Sequence, residues 1–156
     1  MIQKLHHAAY RCRDSEETRQ FYEDFLGLPL THAFEITKTA TGNQAQVLHT
    51  FYALEDGSSL AFFEAPEQPF DFKIQHDFDL HIALEVSRDV LFERFESGRR
   101  MGIETRGITD HGFIESIYFR DPNGYVLELA AKTTQVFANE SSARDALNAW
   151  QASKLD

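Results

Sequence analysis

The amino-acid sequence predicts an α+β fold made of two paired βαβββ modules and an added C-terminal helix. The evidence is threefold: apolar runs typical of strands, helical segments with one apolar face, and the same order of segments in both halves of the chain. Equivalent landmarks lie at nearly constant offsets. His7 and His81 are 74 residues apart, and Gly27 and Gly102 are 75 residues apart. The chain therefore contains an internal repeat.

The first module opens with a strand and a helix. Apolar residues alternate loosely over 5–12, as in a half-buried strand. Asp14 or Ser15 can cap the helix that follows, because either side chain can accept hydrogen bonds from free amides of the first turn. Apolar residues in 21–26 form one helical face, and Gly27 is typical of the position just beyond a helix.

The first module closes with a predicted hairpin, after a looser stretch without clear strand boundaries. Apolar and aromatic residues fill 47–54 and 59–63, on either side of a turn signal at Gly57. Gly57 and its counterpart Gly124 are only 67 residues apart. The first module therefore carries about seven extra residues near 39–46, as a surface loop would at little cost.

The second half repeats this order. An apolar strand over 80–86 precedes Ser87, a capping residue, and a helix that ends near Gly102. Two more strands, 113–119 and 125–130, flank a proline-containing turn. A third helix follows, with apolar residues at helical spacing. The predicted boundaries are a first module at 1–64, a linker at 65–78, a second module at 79–132 and a C-terminal helical extension at 133–156.

Composition excludes several classes of function. The formal net charge of −10 argues against a nucleic-acid partner, which would need clustered Lys and Arg. The first residues turn polar too soon for a signal peptide, and no apolar run approaches the roughly 18 residues of a membrane span. Cys12 is the sole cysteine, so no internal disulfide can form. We expect a cytoplasmic protein without a membrane partner.

Three residues of the repeat point to a metal site. His7 and His81 occupy equivalent positions in the first strands, so pairing the modules about a pseudo-twofold axis would bring them together. Glu128 alternates with leucines in the last strand and points away from them. A buried carboxylate without a partner is costly, and a metal would satisfy it. His6 competes with His7 as the first ligand.

Four stretches, spanning roughly residues 5–131, resemble a known family when they are taken in order. They are HAAYRCRD at 7–14, FYEDFLGL at 21–28, LHIALEV at 80–86 and YFRDPNGYVLEL at 118–129. The chain with these motifs resembles the vicinal oxygen chelate superfamily, which includes glyoxalase I, extradiol dioxygenases, fosfomycin resistance enzymes and bleomycin resistance proteins. The resemblance implies a cupped mixed sheet around one divalent metal ion held by His7, His81 and Glu128.

The number of ligands separates the reactions of this superfamily. Members that resemble glyoxalase I carry a fourth ligand in the first module, where counting from the turn glycine finds Ala61. Glu64 lies three positions further on and would need a strand bulge to point the same way. Two histidines and one carboxylate leave three open positions, an arrangement typical of Fe(II) oxygenases. We expect Fe(II), with Mn, Ni and Zn as alternatives.

Three further residues fit ring-opening chemistry. Tyr118 lies ten residues before Glu128, which resembles the placement of a substrate-contacting tyrosine in extradiol dioxygenases, and strand parity puts it on the Glu128 side of the hairpin. His49 is the repeat equivalent of Ser116 and is predicted to face the cup as an acid or base. His111 is the alternative proton carrier. The remaining histidines, His32 and His76, are predicted to be surface residues.

The leading functional prediction is a metal-dependent extradiol-type dioxygenase that acts on a catecholic or other vicinal-oxygen small molecule. Three alternatives stay open: a glyoxalase-like lyase or isomerase, a metal-dependent fosfomycin-type resistance enzyme, and a metal-free binding protein. We also expect a homodimer, which the resemblance implies and which the apolar face of the C-terminal helix favours. Whether the modules pair within one chain or between two is left open by the sequence.

Overall fold

The computed structural model describes residues 1–133 and 140–154, and its element order is βαβββ twice, followed by a helix. The first module contains β1 (His7–Cys12), α1 (Ser15–Arg19, continued by a π-helical segment Gln20–Phe25), β2 (Leu30–Lys38), β3 (Gln44–Ala53) and β4 (Ser59–Glu64). The second module contains β5 (His81–Glu85), α2 (Arg88–Arg100), β6 (Thr105–Asp110), β7 (Ile114–Arg120) and β8 (Val126–Lys132). The C-terminal helix is α3 (Glu140–Ala152). The predicted α+β fold class is confirmed.

Each module forms a four-stranded mixed sheet with the same topology. The strand order is β1-β4-β3-β2 in the first sheet, called sheet A, and β5-β8-β7-β6 in the second, called sheet B. In each sheet the first and last strands of the module pair in parallel, and all other pairs are antiparallel. The repeat seen in the sequence is therefore a repeat of strand pairing.

The outer strands β2 and β6 are the elements whose boundaries the sequence patterns did not indicate. Both lie at the edge of a sheet, and most of their residues are exposed. An edge strand with both faces partly in water needs no regular apolar alternation. The signal used to find the other strands is therefore weak in these two.

The helix boundaries follow from capping groups. The Asp14 carboxylate accepts a hydrogen bond from the Glu17 amide at 2.8 Å and caps α1, while Ser87 caps α2. Gly27 follows the first helix with a φ of +84°, and Gly102 follows the second with a φ of +72°. Both glycines adopt the left-handed conformation that ends helices at low cost. These four predictions are confirmed.

A single apolar core joins the two modules. One face of each sheet packs beneath the helices, and aromatic side chains of α1 reach the second module, where the Phe25 and Phe119 rings lie 5.1 Å apart. The opposite faces of the sheets carry the histidines and Glu128. The largest fully buried side chains come from both modules and include Tyr22, Tyr52, Phe62, Leu91, Ile117, Phe119 and Leu127.

Buried polar contacts around Asp121 also connect the modules. Its carboxylate accepts hydrogen bonds from the Tyr22 hydroxyl at 3.0 Å, the Asn123 amide groups and the Tyr125 amide. Asn123 in turn accepts a hydrogen bond from the Arg13 amide at 2.8 Å. Burial raises the pKa of Asp121 despite these donors. The turn between β7 and β8 thus serves as the junction with the first module.

The segment between the modules lies against both of them. The Arg11 and Arg13 guanidinium groups lie over the Phe70 and Phe72 rings, at 5.1 and 4.6 Å from the ring centroids. Further along, the Gln75 amide donates to a carbonyl of the β7–β8 turn. Helix α3 exposes its apolar side chains, among them Trp150 at 63%. Within the described residues, no helix is long and apolar enough to cross a membrane.

The Asp121→Ala substitution is predicted to lower the free energy of unfolding by about 3 kcal/mol, because the fully buried Tyr22 hydroxyl loses its acceptor. Urea unfolding followed by circular dichroism measures the change. Asp71→Ala is the control. The Asp71 side chain is 82% exposed and forms a solvated ion pair with Lys73 at 3.5 Å, which contributes little to stability. Equal losses of unfolding free energy in the two variants would show that the buried contacts of Asp121 do not stabilise the junction between the modules.

Candidate metal centre

The strand registers of the two sheets place the candidate ligands at equivalent positions. Ala61 lies between Ala9 and Phe51 in sheet A, and Glu128 lies between Ala83 and Tyr118 in sheet B. His7 lies two positions before Ala9, and His81 lies two positions before Ala83. Because residues two positions apart in a strand share a face, His7 lies on the face of Ala61 and His81 on the face of Glu128. We call these faces the site face of sheet A and the site face of sheet B.

Glu128 is a buried carboxylate at the centre of the site face of sheet B. Its residue is only 6% exposed. The Ser116 hydroxyl donates a hydrogen bond to Glu128 Oε1 at 2.6 Å, and Glu128 Oε2 lies 3.4 Å from His81 Nε2. Burying a carboxylate is costly unless donors or a cation compensate for lost water. The Oε2 atom is therefore available for a cation beside His81.

The orientation of His81 is set by a backbone carbonyl. Its Nδ1 lies 2.7 Å from the carbonyl oxygen of Asp77. A carbonyl can only accept, so Nδ1 carries a proton and Nε2 is the nitrogen that faces Glu128. Metal-binding histidines are commonly held in this way. His81 and Glu128 together form one half of a metal site.

His7 lies on the site face of sheet A, at the start of β1. Its Nδ1 is 2.8 Å from His6 Nδ1, and its ring centroid is 5.3 Å from that of Phe51 and 6.3 Å from that of His49. Within residues 1–133 and 140–154, no group of three or more His, Cys, Asp or Glu side chains is arranged to hold a metal. The chain therefore presents His7 separately from His81 and Glu128.

His49 lies beside His7 on the site face of sheet A. It is 6% exposed, and its Nδ1 lies 3.0 Å from the Phe62 carbonyl oxygen, which requires Nδ1 to donate. Its ring stacks on that of Phe63 with centroids 3.7 Å apart. These contacts fix the ring and leave Nε2 as a proton acceptor near His7.

Tyr118 and His111 meet on the site face of sheet B. Tyr118 pairs directly with Glu128, as strand parity predicted, and its hydroxyl lies 3.1 Å from His111 Nε2. Burial raises the pKa of Tyr118, and the negative charge of Glu128 raises it further. The phenol therefore keeps its proton at neutral pH and can donate a hydrogen bond beside the carboxylate.

The first module offers no carboxylate at the position equivalent to Glu128. Ala61 is fully buried there and cannot coordinate a metal. Glu64 lies on the opposite face, where its carboxylate accepts a hydrogen bond from the Ser15 amide at 2.7 Å. The register of β4 is regular through Glu64, so no bulge turns that residue toward the site.

A cavity of about 480 Å³ lies on the site face of sheet A, and two of its residues were missed by the sequence analysis. His32 and Phe34 line it together with His6 and Phe51. His32 is exposed, as predicted, and its ring centroid lies 6.1 Å from that of Phe51. The pairing of His32 with Phe51 could not be predicted, because the sequence did not indicate the boundaries of β2. His76 remains a loop residue that accepts a hydrogen bond from the Phe78 amide.

Comparisons with known proteins place this fold. Residues 4–129 match the family model described as Glyoxalase/Bleomycin resistance protein/Dioxygenase superfamily. A glyoxalase/dioxygenase from Nostoc punctiforme has a TM-score of 0.63 and 24% identity, over 85% of this chain and 92% of that chain. A variant of the fosfomycin resistance protein FosX from Listeria monocytogenes, complexed with Mn(II) and 1S,2S-dihydroxypropylphosphonic acid, has a TM-score of 0.59 and 19% identity, over 87% and 96%. TnmS3, an antibiotic binding protein from Streptomyces sp. CB03234, has a TM-score of 0.61 and 17% identity, over 85% and 98%. The comparison with curated proteins found no match.

The Ser116→Ala substitution is expected to lower the free energy of unfolding of the metal-free protein by about 1.5 kcal/mol, because buried Glu128 loses its hydroxyl donor. Ser58→Ala is a matched control. The Ser58 hydroxyl also donates to a carboxylate at 2.6 Å, but that carboxylate belongs to exposed Asp56, which water can solvate. Urea denaturation of both variants should give the larger loss for Ser116→Ala, and the reverse order would contradict the compensation assigned to Ser116.

Proposed function

Because the chain belongs to the Glyoxalase/Bleomycin resistance protein/Dioxygenase superfamily, we propose that it is a metal-dependent dioxygenase of the extradiol type. The substrate is a catecholic or similar small molecule with two vicinal oxygens. The observation that carries this proposal is the asymmetry between Ala61 and Glu128, because a bound divalent metal would then have three protein ligands and could also accept substrate and O₂.

The three ligands come from two chains in this proposal. His81 and Glu128 of one protomer hold the ion together with His7 of its partner. The donor set fits a divalent cation, because the buried Glu128 carboxylate lies 3.4 Å from Nε2 of His81, the ring nitrogen not bonded to the Asp77 carbonyl. His7 is separate from this pair within the described chain, so a second copy supplies the third ligand.

Exposed apolar side chains near both half-sites support the dimer. Phe78 is 94% exposed and borders an open cavity of about 560 Å³ beside His81. On the other module, Ile2 and Leu5 are 94% and 61% exposed just before His7. Exposed apolar side chains mark an interaction surface where they form a contiguous patch, as these would if the two half-sites were joined. A homodimer that joins the two half-sites would cover them.

When bound, the metal supplies Lewis-acid polarisation of the two substrate oxygens and, as Fe(II), redox chemistry with O₂. The chain's own residues orient the substrate and move protons. Tyr118 donates a hydrogen bond to a substrate oxygen, and His111 exchanges a proton through that phenol. His49 Nε2 accepts the proton of a substrate hydroxyl. The aromatic side chains of sheet A provide a flat apolar wall that excludes water.

The arginines near the site faces argue against a phosphonate substrate such as the one in the FosX complex. Arg106 is engaged by both oxygens of the Asp77 carboxylate. Arg11 donates to the carbonyl oxygens of Ala65 and Gln68. Because Arg106 is paired with a carboxylate and Arg11 Nη2 already donates to two carbonyl oxygens, these groups would give little extra stabilisation to a phosphonate dianion. A neutral or singly charged aromatic diol needs no such cation.

A metal-free binding protein is the second candidate, and the cavity of about 480 Å³ lined by Phe34 and Phe51 favours it. TnmS3, the antibiotic binding protein with the same fold, supports this alternative. Its test is direct. A metal-free binding protein would bind an aromatic ligand equally tightly before and after treatment with a chelator. The dioxygenase proposal instead requires the metal for tight binding.

The proposal predicts that the protein reconstituted anaerobically with Fe(II) consumes O₂ with at least one catechol from a panel. Ala61→Glu should keep or tighten metal binding but suppress O₂ consumption at least about tenfold, because a fourth ligand occupies a position needed by substrate or O₂. Ala61→Gln is the control for size. An oxygen electrode and metal analysis measure both properties.

One result would contradict the proposed dioxygenase activity, and another would contradict the three-ligand argument behind it. One is the absence of O₂ consumption with every catechol, together with conversion of a hemithioacetal of glutathione, which would support the isomerase alternative. The other is equal loss of activity in Ala61→Glu and Ala61→Gln, which would assign the effect to crowding rather than to coordination.

A further inference from the structure

We propose that Arg106 and Asp77 act as one positioning unit for His81. The inference rests on the proposed function, since it concerns how a ligand of that metal site is oriented. Asp77 belongs to the segment predicted as a linker, and its backbone carbonyl accepts the His81 Nδ1 proton at 2.7 Å. The side chain of the same residue is held by Arg106. A loop residue therefore determines which nitrogen of His81 faces Glu128.

The contact between Arg106 and Asp77 is bidentate. Arg106 Nη1 and Nη2 donate to the two carboxylate oxygens of Asp77 at 3.0 and 2.8 Å. A planar guanidinium paired in this way fixes both the distance and the plane of its partner. The Asp77 backbone is thereby tied to β6, and its carbonyl is held against His81.

Arg106 is itself placed by the sheet. It pairs with Tyr118 in the register of β6 and β7, and its guanidinium carbon lies 5.2 Å from the centroid of the Tyr118 ring. Tyr118 pairs in turn with Glu128, which faces His81. These contacts form a closed ring around His81 and Glu128. Arg106 therefore supports both the two proposed ligands and the Tyr118 side chain.

A matched ion pair between α2 and sheet B makes no contact with His81. Arg88 donates to both carboxylate oxygens of Glu115 at 2.6 and 3.0 Å, and it joins the start of α2 to β7. Arg88 is more exposed than Arg106, at 62% against 44% for the side chains. Breaking this pair perturbs sheet B without touching the support of His81. A variant that breaks this pair therefore separates a positioning role of Arg106 from a general loss of stability.

The test uses the full-length protein and Zn(II) as the probe, with affinity measured by competition against a chromophoric chelator. Arg106→Gln and Asp77→Asn are each expected to weaken Zn(II) binding about tenfold, as is common when a residue supporting a metal ligand is changed. The double variant should be no weaker than either single variant, because the two residues act as one unit. Arg88→Gln should bind as the wild type does.

A second measurement does not depend on the metal. In the metal-free protein labelled with ¹⁵N-histidine, NMR reports the tautomer of His81. The wild type should carry a proton on Nδ1, and Arg106→Gln should lower the fraction of His81 rings protonated there, while Arg88→Gln leaves that fraction unchanged. An unchanged tautomer and affinity in Arg106→Gln would overturn the positioning role. A wild-type protein that binds no Zn(II) would overturn the proposed metal site, and the tautomer result would still decide whether Arg106 orients His81.

Discussion

The burial of one carboxylate, Glu128, is the constraint on which the rest of the site depends. A carboxylate that is 6% exposed must recover the interactions it loses with water. Ser116 supplies one hydrogen bond, and His81 lies against the other oxygen. A divalent cation beside these two neighbours would add the opposite charge that a buried carboxylate needs. The position of Glu128 therefore explains why His81, Ser116 and Tyr118 surround it as they do.

The repeat supplies a symmetric frame that the side chains then make asymmetric. The same strand registers put Phe51 where the second module has Tyr118, and Ala61 where it has Glu128. One module thus provides an apolar aromatic wall, and the other provides the carboxylate and the phenol. In the function proposed above, a flat substrate would lie against the aromatic wall of sheet A, with His49 on that side and Tyr118 on the other available for proton transfer. In the proposed metal site, this difference would limit the protein to three ligands.

Much of this arrangement was predictable from local sequence patterns, and the remainder depends on contacts between distant segments. Capping residues, turn glycines and apolar alternation predicted both helices and six of the strands, and parity predicted that Tyr118 lies beside Glu128. The edge strands β2 and β6 lack that alternation, so the places of His32 and Arg106 were not visible. The role of Asp77 depends on its backbone carbonyl, which no residue pattern encodes. Local sequence patterns are also the same whether the modules pair within a chain or between chains, so they could not distinguish these two arrangements.

The most direct test of the account is metal binding by a heterodimer of two defective chains. His7→Ala and His81→Ala chains, carrying different affinity tags, are coexpressed and the mixed dimer is purified. If a site combines His7 of one chain with His81 and Glu128 of the other, the mixed dimer keeps one intact site, or about half the metal content of the wild type, while each parent homodimer keeps none. A mixed dimer as empty as its parents would contradict a site shared between chains.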